Sequence, residues 1–377
     1  DNPEFQAAVS SGKPMLTRAE LLGQMMKNYG TAIAVSGTHG KTTTTSMLSH
    51  ILMEAELDPT ISVGGILPSI GGNIRVGNSD TFITEACEYT NSFLSLFPTI
   101  GIILNMDADH LDFFKDIDDI RRSFRRFAEL VPEEGSLIIN AETPCYEQII
   151  DGLRCNVITY SVNGNADITA ADVSYDRLGC PSFDAFVNGE QIGRFTLSVP
   201  GEHNVSNALA SIAAAYVLGI SRDDIRNGFL SFHGTDRRFQ LKGKMNNVTI
   251  IDDYAHHPTE IRATLAAAKN YPSKTTWCVF QPHTYSRTKA LLGDFASALA
   301  LADKVILADI YAARETDDLG ISSKTLQDEL LKLGVECYYY PSFEEIEDFL
   351  RKNCQDQDLI LTVGAGDVVK IGEALID

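Results

Sequence analysis

Gly37-x-x-Gly40-Lys41-Thr42 follows an apolar run at residues 32–36 and opens a segment whose pattern predicts a helix through Ala55. Strand, glycine turn and helix in that order make a nest for an anion. The backbone N–H groups of Gly37, Thr38, His39 and Gly40 converge with the positive end of the helix, and Lys41 adds a point charge. Thr42 or Thr43 can offer a hydroxyl to Mg2+. Val35 stands where the usual Walker A loop has a glycine, so this loop is a tighter variant. The segment predicts nucleotide binding, with Lys41 expected on an exposed loop.

Other reactive residues gather in a few motifs. Six of the eight histidines, His39, His110, His203, His256, His257 and His283, fall in dense polar segments at predicted strand or loop ends. Glu85-Ala-Cys-Glu88 closes one apolar strand, and Asn105-Met-Asp-Ala-Asp-His110-Leu-Asp112 follows another. A carboxylate and an imidazole near a phosphate loop are what a second divalent cation needs. For hard Mg2+, Glu85 is the better ligand and His110 the less usual one; the alternative is that both cap or turn the chain. In Gly201-Glu-His-Asn204-Val-Ser-Asn207 an Asn amide offers the paired donor and acceptor that suit an adenine edge. Asn204 can equally be an N-cap. Asp252–Glu260 and Gln281–Thr288 bring His256, His283 and Arg287 to strand-to-helix turns. Arg287 suits a carboxylate substrate, Asp253 a ribose hydroxyl or ammonium, and Arg237 and Arg238 can reach phosphates.

The elements that must position these groups read as α/β. Strands are predicted at 32–36, 81–85, 100–105, 136–140 and 156–160, with a helix over 116–130 whose arginines 121, 122, 125 and 126 read as a solvated face. Residues 167–199 read as a small antiparallel addition turning at Asn188-Gly189, followed by an Ala-rich helix over 204–218 with Gly219 closing it. Residues 231–238 form a candidate boundary. Beyond it, strands at 248–252, 277–281, 304–309, 336–340 and 359–363 alternate with helices at 258–270, 285–300, 323–333, 343–353 and 367–375. Such alternation implies a doubly wound sheet whose ligands bind at the C-terminal strand ends, where the polar motifs fall.

Composition narrows the class. A net charge of −20 argues against a nucleic-acid binder. Seven scattered cysteines without a C-x-x-C pair favour reduced thiols and a cytoplasmic protein. No apolar run approaches the ~20 residues of a membrane span. A monomer or weak homodimer is expected.

These segments resemble the Mur ligase family, the ATP-dependent amino-acid ligases of bacterial peptidoglycan synthesis. The likeness rests on Gly37–Thr43, Glu85-Ala-Cys-Glu-Tyr89, 105–112, Gly201–Asn207, Gly234-Thr-Asp-Arg-Arg-Phe239, Asp252–Glu260 and Gln281–Thr288, in that order. It implies a P-loop-type central ATPase domain over 31–234 and a Rossmann-like ligase domain over 235–377. Residues 1–30 then read as a linker and the remnant of a preceding domain that would hold a UDP group. It also implies the alanine-adding branch, with UDP-N-acetylmuramate and L-alanine as substrates, ATP and Mg2+ as cofactors, and an acyl phosphate on the way. The resemblance carries roles to matching positions. Lys41, His256, His283 and Arg287 would be catalytic. Residues 37–43, Asn204, Asn207, Arg238 and Asp253 would hold nucleotide. Thr42 would bind one Mg2+, and Glu85 with His110 the second.

Two departures stand out. Glu85-Ala-Cys-Glu-Tyr-Thr replaces a Glu-Ala-Asp-Glu-Ser-Asp run and looks like a variant common in Gram-positive bacteria. Several members carry a carbamylated lysine on the second metal, but no lysine lies between Lys115 and Lys242, which leaves His110 and Glu85 as the metal pair. The alternatives are a murein tripeptide recycling ligase and a non-catalytic ATP-binding fragment.

Overall fold

A computed structural model describes residues 2–110 and 113–376, so Leu111 and Asp112, at the end of one motif, lie outside the described residues, as do Asp1 and Asp377. Ten strands form the first sheet: β1 (Thr31–Ser36), β2 (Thr60–Leu67), β3 (Gly72–Arg75), β4 (Thr81–Ala86), β5 (Ile100–Ile103), β6 (Ser136–Asn140), β7 (Asn156–Ser161), β8 (Ile168–Tyr175), β9 (Pro181–Val187) and β10 (Glu190–Thr196). Their order is β10-β9-β8-β7-β6-β5-β1-β4-β2-β3. β1 sits inside the sheet, parallel to β4 on one side and β5 on the other. Its Ala-Ile-Ala-Val run has no polar alternate because both faces are covered. The antiparallel end turns through Asn188 (φ 50°) and Gly189 (φ 80°), the two positive φ values a tight hairpin requires.

Helices Lys41–Glu54, His203–Val217 and Arg222–Ser231 cover one face, burying Met47, Ile51, Leu209, Ile212 and Phe229. Each fully buried side chain of this size contributes ~1.5–3 kcal/mol over leaving it in water. Helices Arg18–Met26 and Ile117–Ala128 cover the other face around Phe93, Phe124 and Phe127. On Ile117–Ala128, Arg121, Arg122 and Arg125 pair with Asp118, Asp119 and Glu129; Arg122 is solvated as expected, whereas Arg121 is 19% exposed and Arg125 also donates to Ile149 O.

The second sheet holds β11 (Gln240–Met245), β12 (Val248–Asp253), β13 (Thr276–Phe280), β14 (Lys304–Leu307), β15 (Glu336–Tyr339) and β16 (Leu359–Val363) in the order β11-β12-β16-β13-β14-β15. β12 through β16 are parallel and β11 is an antiparallel edge. Separate apolar clusters cover its two faces.

The structure corrects the predicted elements in places. The single helix over 285–300 is two, Tyr285–Ala290 and Leu292–Leu299, broken at Leu291 (φ −114°), where two leucines turn onto the core of the second sheet. Helices Pro3–Ser10 and Arg222–Ser231 and strands β2, β3 and β11 were not expected.

Candidate active site

The C-terminal ends of β1, β4 and β12 and the segment after β5 open onto one cavity of about 940 Å3, a size suited to a nucleotide with a second substrate. The phosphate loop enters it under steric constraint. Gly40 has φ 84°, and a Cβ there would lie 2.6 Å from Asn207 Oδ1. Gly37 has φ 140°, and a Cβ would lie 2.9 Å from Leu104 Cβ. Only glycine fits either position. Asn105 pins the loop, its Oδ1 accepting from the His39 N–H at 2.8 Å and its Nδ2 donating to His39 O at 3.0 Å. Thr38 Oγ1 accepts from the Asp107 N–H at 2.9 Å.

Lys41 is not on an exposed loop, a correction to the sequence reading: its side chain is 16% exposed. Its Nζ donates to Gly37 O, to Thr38 O at 3.0 Å and to Glu88 Oε2 at 3.0 Å. Burial works against the ammonium, but Glu88, Cys87 and Glu85 outweigh it and push Lys41 above its usual range.

Thr42, Glu85 and His110 all line the cavity. Glu85 stands near the end of β4 and accepts from the Gly64 N–H, and a Cβ at Gly64 would crowd its Oε2 to 2.9 Å. His110 sits at φ 54°, strained for a non-glycine residue, with its ring 4.5 Å from that of Tyr89. Its carboxylate neighbours are Asp109, 3.8 Å from Nε2, and Glu88, 3.9 Å away. The expected pair thus shares a cavity, while the closest acids to His110 among the described residues are Asp109 and Glu88. A hydroxyl, carboxylate oxygens and one imidazole form a donor set that a hard divalent cation accepts.

From His110 a line of polar contacts crosses to the second sheet. Asp109 Oδ1 accepts from Arg287 Nη2 at 3.0 Å, and Arg287 Nη1 lies 3.2 Å from His283 Nδ1. The His283 and His256 rings stand 5.8 Å apart. Burial holds His283 down to about 4 and pushes His256 below its usual range. His256 Nδ1 lies 3.1 Å from Tyr254 O, which can only accept, so Nδ1 carries the hydrogen and Nε2 keeps the lone pair. Arg287 can only donate, so His283 is protonated on Nε2.

His39 turns its ring away from the phosphate nest. Nε2 meets Asp107 Oδ2 at 3.3 Å and Nδ1 meets Glu260 Oε1 at 3.2 Å, so it bridges the two sheets' loops. Burial opposes its charge, yet hydrogen bonds to Asp107 and Glu260 win and push it up to about 9. Thr259 Oγ1 donates to the same Asp107 oxygen at 2.6 Å, and His257 Nδ1 lies 3.7 Å from it.

The remaining residues split. Asn204 and Asn207 line the cavity and are partly engaged: Asn204 Nδ2 donates to Pro200 O at 2.7 Å and its Oδ1 accepts from Asn207 Nδ2 at 3.0 Å, which leaves further donor and acceptor capacity on both amides. Asn204 is no N-cap, since Glu202 holds that position. Asp253 is buried and accepts from the Phe239 and Ala255 N–H groups, and burial pushes it up to about 6. Arg237 and Arg238 both line the cavity and lie over the Tyr254 ring, at 5.0 and 5.1 Å, and Arg237 also pairs with buried Asp252 at 2.9 Å. Thr43 lines the cavity beside Thr42.

Sequence reasoning quoted Glu88, Asp107, Asp109 and Glu260 within motifs and gave them no role. It missed Gly64 and Gly65, which line the cavity from β2; the glycine pair inside an apolar run was the available signal.

The Mur ligase middle domain matches residues 35–215, and the Mur ligase glutamate ligase domain matches residues 237–366. The chain is 60% identical over 375 residues to the UDP-N-acetylmuramate–L-alanine ligase of Agathobacter rectalis, covering all of this chain and 82% of that protein. It is 58% identical over 377 residues to that of Lachnospira eligens, with the same coverage. The crystal structure of the Thermotoga maritima UDP-N-acetylmuramate–alanine ligase superposes with a TM-score of 0.84 at 30% identity, over 100% of this chain and 81% of that one. A murein peptide ligase from Psychrobacter arcticus shares the fold, with a TM-score of 0.74 at 24% identity over 99% of this chain and 82% of its own. Matched by both Mur ligase domain models over most of its length and by these relatives in sequence and fold, the chain belongs to the Mur ligase family.

Proposed function

We propose that this chain is an ATP-dependent amide ligase joining L-alanine to the carboxyl group of UDP-N-acetylmuramate, with ADP and phosphate as products, in the cytoplasm. The observation that carries this reading is the succession of polar groups from Lys41 through Glu88, His110, Asp109 and Arg287 to His283, each within 4 Å of the next, which sets a phosphoryl site against a carboxylate site. The substrate carboxylate attacks the γ-phosphorus, ADP leaves, and an acyl phosphate remains. The alanine amine then attacks the acyl carbon, phosphate leaves, and the nitrogen gives up a proton. Lys41 and the loop N–H groups stabilise charge on the phosphoryl group. Thr42 would hold one Mg2+ and Glu85 with His110 a second, and the two ions would offset charge on the phosphate oxygens. Arg287 orients the carboxylate, and the Nε2 lone pair of neutral His256 takes the amine proton. Asn204, Asn207, Arg238 and Asp253 frame the nucleotide, and the second sheet closes over the site to exclude water from the acyl phosphate.

Phosphate release measured with ATP, UDP-N-acetylmuramate and each amino acid tests this. Release that depends on both the nucleotide sugar and L-alanine is expected. Release with a murein tripeptide in place of L-alanine, or with none of these, would overturn it.

A further inference from the structure

Glu88 is the least explained acid in the site. It is 2% exposed, yet both carboxylate oxygens reach Lys41 Nζ, at 3.0 and 3.3 Å. An ammonium has three hydrogens. Those of Lys41 go to Gly37 O, Thr38 O and Glu88, so none is left for a phosphate. Two of these partners belong to the loop itself. Glu88 alone carries a charge that competes with an incoming anion.

Moving Lys41 onto a phosphate therefore has a consequence. It leaves a buried carboxylate without its cation, a costly state unless another positive charge arrives. The only other basic side chain recorded against Glu88 among the described residues is His110, whose Nε2 stands 3.9 Å away on the candidate metal-binding side of the cavity. A nucleotide that comes alone must strand Glu88 to engage Lys41. One that comes with a divalent cation beside His110 need not.

We propose that Glu88 is a positioning residue that withholds Lys41 from the phosphates until a divalent cation is also bound, so that nucleotide and metal must enter together. The inference rests on the proposed reading of this loop as an ATP site. It deepens that reading by assigning the coupling to one side chain that touches neither the substrate carboxylate nor the amino acid.

The test is binding, not turnover. Affinity for β,γ-imido-ATP is measured by calorimetry in excess EDTA and again with Mg2+, on the unaltered chain, Glu88→Gln and Glu88→Asp. Glu88→Gln keeps shape and removes the competing charge. It should tighten metal-free binding about tenfold, the low end for a nucleotide no longer opposed by a hydrogen bond to a charged group. The gain from Mg2+ should shrink in proportion, while Glu88→Asp keeps the original pattern. A merely structural defect would weaken binding in both conditions, so unchanged or weaker metal-free binding by Glu88→Gln overturns the proposal. Lys41→Met gives an independent arm should Glu88→Gln fail to fold. It should cost little metal-free affinity and at least tenfold with Mg2+, and an equal loss in both refutes the coupling. Absence of Mg2+-nucleotide binding by the unaltered chain would sink the ATP site as well. Intact binding without alanine-dependent phosphate release would sink only the proposed reaction.

Discussion

Replacing His39 with Asn should loosen the joint between the phosphate loop and the second sheet, and the loss should depend on pH. Asn removes the imidazole that meets Glu260 at 3.2 Å and Asp107 at 3.3 Å while leaving the backbone bonds to Asn105 free to form. Burial pushes this histidine down, but the two carboxylates raise it from 6.5 to about 9, a difference equivalent to roughly 3 kcal/mol. Asp107 is 35% exposed, and solvent screening there reduces the figure to about 2 kcal/mol. Because the folded pKa lies above the unfolded one, this stabilisation is complete below about pH 6.5 and is lost as pH rises through about 9. Asp107 and Glu260 are held below the usual carboxylate range, so their side of the contact persists down to acidic pH. Thermal unfolding of both proteins at pH 7 should then differ by about 4–8 °C, taking 2–4 °C per kcal/mol for units of 150–250 residues. At pH 10 the two curves should nearly coincide. A gap that persists at pH 10, or a His39 ring that titrates near 6.5 by NMR, would refute the charged-bridge reasoning.

Lys41→Ala should lower ligation by ~10²–10³, the usual loss for a transition-state charge partner. It should also cost ~1–3 kcal/mol of stability by leaving Glu88 buried and unpaired, and adding Glu88→Gln should restore the melting temperature but not the turnover. Glu85→Gln and His110→Ala should each raise the Mg2+ requirement more than the KM for L-alanine, and together fall short of additive. Simple additivity in a Mg2+ titration would separate the two residues. Gly228→Ala should destabilise by ~1–3 kcal/mol despite its better helix propensity, because the new Cβ would lie 2.6 Å from Ile51 Cα between two packed helices. A melting temperature at or above the original would contradict that packing.

Much of the architecture was legible because local chemistry and global fold agree. Gly37 and Gly40 marked a turn that no other residue fits, Asn188-Gly189 marked a hairpin, and the alternating strands and helices after residue 240 marked a parallel sheet. What stayed hidden has local reasons. Gly64-Gly65 interrupt the apolar pattern of β2, a register shift between Leu241 and Gly243 breaks that of β11, and Gly228 with several charges masks a helix that Ser221 in fact caps. In the site, residue types pointed to phosphate, metal and carboxylate, and the family resemblance supplied the substrates. The pairings could not be read. Glu88 and Lys41 stand 47 positions apart and His39 and Glu260 stand 221 apart, so only the folded chain shows which acid each cation chooses.

None of the four apolar clusters draws residues from both sheets: two lie within residues 26–232 and two within 245–375. The hydrogen bonds and ion pairs across the joint are of another kind and include His39 to Glu260, Thr259 to Asp107, Arg287 to Asp109, Arg314 to the Tyr89 hydroxyl and the Asp236 N–H to Ile66 O. Water can replace each of these polar partners as the halves part. A seam of that sort behaves like a wet hinge. It can part and re-form once per catalytic cycle, and its grip should slacken as salt rises and tighten as salt falls.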